Sequence, residues 1–260
     1  MKVLNFPTAN PEKFFVFDVE YFADRKLYER YFRTDPRPAA CRWPFRRVVS
    51  ASVMAIRVTD GVWEVEDFRS FVGADERQLL RAFFDWVIDR PDHVGVSWSG
   101  AAEDLPILKT SAMEYGFVLP RQLRQNERDR FGFRHLDLAL ILKGGSGTHV
   151  HQLELATRLQ LPAKMAGSAG QVPYRVAEND FAAIGLISQC DVLTTGLLLA
   201  SHLVTLGQVR SLKAAHFVTM SFVRAHARET EAGYDRELGN YVSKAHREMF
   251  AEQRAWLEAC

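Results

Sequence analysis

The sequence is poor in cysteine and has no excess of charge of either sign. Its three cysteines, Cys41, Cys190 and Cys260, lie far apart and share no metal-type spacing, so free thiols in a reducing cytoplasm are expected rather than a disulfide framework. Lys and Arg total 33 against 32 Asp and Glu, which argues against a histone-like basic coat and leaves room only for a local basic groove. The stretch MKVLNFPTANPEK lacks an apolar signal core, and no segment reads as the ~20 apolar residues of a membrane span. A soluble cytoplasmic protein is the expectation. GGSGT (144–148) has neither the Lys-Ser/Thr ending nor the preceding strand of a phosphate-binding loop, and reads as a flexible link.

What is present is length and pattern. With 260 residues, 47% of them hydrophobic, the chain can bury one substantial core, which favours one large α/β domain with elaborations. FFVFDVE (14–20) reads as a strand buried on both faces. Residues 21–47, charged, aromatic and broken by proline, read as a long loop or short helix. VVSASVMAIRV (48–58) and VWEVEDFRSFV (62–72) flank Asp60-Gly61, a hairpin signal. The spacing of Leu79, Leu80, Phe83, Phe84 and Val87 predicts a helix from Asp75 to Asp89, closed by Pro91. HVGVSW (93–98) is a strand, 99–116 a loop turning into a helix, and HLDL (135–138) a short strand. Helices are expected over 151–161 and 178–206, an irregular stretch between them, and two amphipathic helices around Gly233. This order suggests a mixed sheet of about five strands with helices on both sides.

The acids raise the functional question. Asp18 and Glu20 end an apolar strand on the same face, with α-carbons roughly 6.6–6.8 Å apart. Two like charges so placed repel unless the strand has ended in solvent or a cation lies between them. Asp104 follows the strand HVGVSW, Asp137 interrupts HLDLALIL, and Asp191 lies in an apolar helix. Such a fold could bring a strand pair, an acid beyond the next strand and a helix acid together, and hard cations such as magnesium or manganese favour oxygen ligands of this kind.

FDVE, EDLPIL and QCDVLTTGLLL, in this order, resemble the three exonuclease motifs of the DEDD superfamily. The likeness is to bacterial 3′–5′ exonucleases related to the proofreading domain of family B DNA polymerases. RRVVSASVMAI, SGAAEDLPIL, HLDL and LPAKMAGSAGQV support it, over roughly residues 13–205. The resemblance implies a ribonuclease-H-like fold spanning 1–207, with 208–260 as an added C-terminal helix pair packed on it. It also implies that Asp18, Glu20, Asp104 and Asp191 hold two divalent ions, Mg2+ or Mn2+, whose bound water removes nucleotides from a single-stranded 3′ end, DNA ahead of RNA.

The chain departs from that pattern. The tyrosine branch places its water-orienting Tyr where Ile187 stands, and the histidine branch its His at Leu186; neither takes a proton. The usual Asn before the second motif is Ser99, the apolar residue before its Asp is Glu103, and the Thr after the first motif is Tyr21. A positioned base contributes ~10²–10⁴-fold, so a slow exonuclease or a weakly active nucleic-acid-binding module of the same fold are both open. His149, His151 and Tyr174 are candidate substitutes. RYFRTDPRPAACRWPFRR and RQLRQNERDRFGFR mix Arg with aromatics, as a single-strand groove does. Phe22 and Trp43 are candidate stacking residues, and Lys164 a candidate phosphate contact.

Overall fold

The computed structural model describes residues 13–34, 42–124 and 134–259, excepting the side chains of 252, 253 and 255–259. Cys41, Cys260 and most of RQLRQNERDRFGFR lie outside the described residues. Five strands form one sheet: β1 (Lys13–Ala23), β2 (Arg46–Thr59), β3 (Val62–Val72), β4 (Val94–Ser97) and β5 (His135–Asp137). Their order is β3-β2-β1-β4-β5, with β2 antiparallel to both neighbours and β1, β4 and β5 parallel. This is the mixed, ribonuclease-H-like sheet that the sequence suggests.

The helices are α1 (Arg25–Thr34), α2 (Glu76–Ile88), α3 (Asp104–Tyr115), α4 (Leu138–Lys143), α5 (Gln152–Arg158), α6 (Val172–Ala177), α7 (Phe181–Thr205), α8 (Leu212–Glu229) and α9 (Asp235–Ala259). Alternation along β1 splits the core. Phe15, Phe17 and Val19 face α2 and α3, whereas Phe14 and Val16 face α7. The latter face also holds Asp18 and Glu20, so the acid pair lies under α7. Asp180 caps α7 by accepting from Ala183 N, and the apolar sequence that follows is buried along most of its length. In length and hydropathy α7 matches a membrane span, but 83% of its most apolar window is buried inside the fold as a core helix. Helices α8 and α9 share the same apolar cluster through Val223, Ala227, Leu238 and Ala245, and Trp63 Nε1 of β3 donates to Thr219 Oγ1 of α8 at 2.8 Å.

On the other face, Glu76 binds three elements together. Its carboxylate accepts from Val48 N at 2.8 Å, Ser111 Oγ at 2.9 Å, Tyr115 OH at 2.7 Å and Arg47 Nη1 at 3.1 Å. In sequence it reads only as an acid in a helical first turn. Glu76→Ala leaves buried donors without an acceptor and is expected to cost about 3–5 kcal/mol. Urea unfolding checks this as a lower midpoint with an unchanged slope.

Candidate metal and catalytic centre

Asp18 and Glu20 reach the site because β1 stays extended past its last apolar pair. Asp18 pairs with Ser52 and Glu20 with Ser50, and a register shift follows between Glu20 and Tyr21. Asp191 comes down from α7 onto the same face. One oxygen from each of Asp18, Glu20 and Asp191 lies within 4.8 Å of the others. Asp104 opens α3 beyond β4 and is buried, and its carboxylate is close enough to feel Asp18 and Asp191, but it lies outside that triplet.

The electrostatics are those of acids short of positive charge. Burial, then Asp191 and Glu20, push Asp18 well above the usual carboxylate range. Burial and Asp191 push Glu20 up to about 8. Burial and Asp18 likewise raise Asp104, and burial raises Asp191 against the pull of Lys164. Lys164 supplies one compensating charge: its ammonium pairs with Asp191 Oδ2, inside the acid cluster. Burial pulls the Lys164 amine down, but Asp191 outweighs it and holds the ammonium charged. The expected phosphate contact is thus engaged with an acid here. The other oxygen, Asp191 Oδ1, and Asp18 Oδ2 are buried with no hydrogen-bond partner. An all-oxygen donor set with two unpartnered buried oxygens fits a hard divalent cation.

Asp137 plays a different part from the acids of the cluster. Its carboxylate accepts from Ser99 N at 3.0 Å, Ala101 N at 2.9 Å and Leu140 N at 3.2 Å, fixing the loop that delivers Asp104. Ser99 sits in that loop at φ 59°, a left-handed conformation that asparagine adopts more readily than serine. Gly100 is required there, since a Cβ would lie 2.9 Å from Asp104 Oδ2 and 2.3 Å from Ser97 Oγ.

Ile187 is buried against Val172 of α6, with Phe22 packed on the same cluster. Phe22 is therefore a half-buried wall beside the acids rather than an open stacking face. Trp43, in the short turn Trp43–Phe45, is 43% exposed. Beside it, Phe45 meets Tyr28 and Tyr31 of α1, whose Lys26, Arg30 and Arg33 are exposed. Tyr174 is exposed, and His149 and His151 pair edge to face with rings 5.3 Å apart ahead of α5. Gln152, next to His151, donates to the Asp191 carbonyl at 3.1 Å, so this loop is tied to the acid helix. Among the described residues no hydrogen bond joins either histidine or Tyr174 to the four acids.

The family described as predicted 3′–5′ exonucleases related to the exonuclease domain of PolB matches residues 40–245. Asp104 and Asp191 fall inside that span and Asp18 and Glu20 before it. No curated protein matches the chain. Among solved structures, the family B DNA polymerase of the hyperthermophilic archaeon Pyrobaculum calidifontis is 18% identical, over 82% of this chain and 29% of that one, with a TM-score of 0.45. E. coli exonuclease I in complex with a dA16 oligonucleotide is 10% identical, over 82% of this chain and 44% of that one, with a TM-score of 0.47. The chain therefore spans less than half the length of either protein.

Proposed function

The chain belongs to the predicted 3′–5′ exonucleases related to the exonuclease domain of PolB, and we propose that it removes nucleotides from the 3′ end of single-stranded DNA in a reaction dependent on two divalent cations, Mg2+ or Mn2+. The observation that carries this reading is the convergence of Asp18, Glu20 and Asp191 within 4.8 Å, two of them with unpartnered buried oxygens. With Asp104 at the neighbouring helix start, these side chains would hold the ions. Bound there, such ions supply Lewis acidity and charge neutralisation for hydrolysis of a phosphodiester.

The chain's own residues account for the rest. Among the described residues Lys164 pairs with Asp191, and it would move from there to a phosphate when metal takes over the carboxylate's charge. Helix α1 follows the C-terminal end of β1 and Trp43 precedes β2, whose first residue pairs with that end, and together they would offer ring surface and cations to an incoming strand. A DNA rather than RNA end is favoured by the family's relation to a DNA polymerase domain.

A second reading is favoured by Ile187. Its buried side chain stands where the motif resemblance expects the water-orienting Tyr, so a site that binds strand and metal with little turnover is the alternative. Digestion of a 5′-labelled single strand with Mg2+ or Mn2+, beside an Asp18→Ala/Asp104→Ala control, separates the two. A ladder shortening from the 3′ end and absent in the control is the expected result. Binding without cleavage in either metal would leave the binding module.

A further inference from the structure

A continuous line of hydrogen bonds starts on β2, directly beside the acid strand, and ends at Tyr234 between the two C-terminal helices. Asp18, Ser52 and Ser70 stand directly opposite one another across β1, β2 and β3, and Glu20 faces Ser50. Ser52 Oγ lies 2.8 Å from Ser70 Oγ and 2.6 Å from Ser188 Oγ of α7, and Ser50 Oγ lies 2.7 Å from the same Ser188. Gln189 Nε2 donates to Ser70 Oγ at 2.9 Å, and Tyr234 OH, just before α9, donates to Gln189 Oε1 at 2.7 Å. With the Ser188 proton on the Gly185 carbonyl at 3.2 Å, each hydroxyl donates once. Tyr234 then donates to Gln189, Gln189 to Ser70, Ser70 to Ser52, and Ser52 and Ser50 both to Ser188. The line runs one way, and all but Ser70 of its side chains are buried.

Ser188 and Gln189 lie within one turn of Asp191, so whatever fixes their height and rotation also fixes that carboxylate. Apolar packing alone is non-directional. Metal distances tolerate only about 0.2 Å. We propose that Tyr234 is a positioning residue for the acid cluster: through Gln189 and the serine row it sets where Asp191 sits over Asp18 and Glu20, making the C-terminal helices part of the metal site. This rests on the reading that the cluster binds divalent cations.

The test is Mn2+ affinity of the full chain, measured by the EPR signal of free Mn2+ without nucleic acid and set beside melting temperature. Tyr234→Phe removes the donor that starts the line. Ser70→Ala, at a half-buried position, breaks it midway and keeps the test open should the first variant not fold. Thr219→Val is the comparison, since Thr219 ties α8 to Trp63 outside the line. Both line variants are expected to weaken Mn2+ binding about tenfold, as loss of a group supporting a ligand does, whereas Thr219→Val lowers melting temperature and leaves affinity unchanged. Unchanged affinity in Tyr234→Phe and Ser70→Ala overturns the positioning role, as does an equal loss in Thr219→Val. If the unsubstituted chain binds no Mn2+, the metal reading itself falls and the positioning role with it.

Discussion

Asp18→Asn is expected to raise the melting temperature of the metal-free protein at pH 8.5 while abolishing the stabilisation by Mn2+ seen in the unsubstituted chain. The two halves have one cause. Asp18 Oδ2 is buried without a partner, and burial and two neighbouring acids disfavour its charge. An amide in its place carries no charge and can donate to a neighbouring carboxylate. Relief of an unsatisfied buried group is worth about 1–3 kcal/mol, roughly 2–12 °C for a chain of this size. In the unsubstituted chain, Mn2+ at about 100 times its dissociation constant adds about 2.7 kcal/mol. That gain depends on the oxygens the substitution removes or neutralises. The 3′ activity, where present, is expected to fall by at least about 10²–10³-fold, the size seen when one group stabilising transition-state charge is lost. A lower melting temperature in chelator would show that the Asp18 charge is compensated in the fold, and the case for a cation between the acids would lose its physical basis.

How much of this was legible before folding depended on whether the signal was local. The acid pair was: alternation alone puts Asp18 and Glu20 on one face, and the apolar run before them says that the strand is buried. Asp191 was not, because an acid in an apolar helix reads the same at a solvated edge as in a site, and only the motif resemblance singled it out. The short helix α6 was read as irregular chain, although Val172-Pro173 is a helix-start signal, proline being tolerated in a first turn where its missing N–H is not needed. Lys164 was read as a phosphate contact but not as a partner of Asp191, since that pairing depends on how the loop after α5 returns to α7. The serine line was invisible. Ser50, Ser52 and Ser70 look like ordinary polar alternates until the register of three strands aligns two of them with Asp18 and the fold of α7 brings Ser188 and Gln189 onto them. Glu76 was hidden similarly, its burial arising from contact of α2 with β2 and α3.

The same buried charges set a pH dependence whose sign separates the chelated from the metal-loaded protein. Glu20 titrates at about 8 when folded against an ordinary 4.5, so between those values the folded state holds more protons than the unfolded one. Its stabilising protonated form is complete below about 4.5 and is lost as pH rises towards 8. At about 1.4 kcal/mol per pH unit, Glu20 alone removes on the order of 2 kcal/mol between pH 6.5 and 8. Asp18 and Asp104, also raised, act in the same direction. His135 opposes them on the acid side: burial lowers it from 6.5 to about 4, so its contribution is lost as pH falls from 6.5 towards 4 and does not change above. Urea midpoints in chelator should therefore decline from pH 6.5 to 8. In saturating Mn2+ the decline should vanish or reverse, because protons and metal compete for the same carboxylate oxygens and the competition favours metal as pH rises. Equal stability at both pH values in chelator would mean that water reaches the acids freely. A decline that persists unchanged in Mn2+ would mean that the acids are buried but bind no metal. Only a decline that metal removes joins the buried charges to the cation.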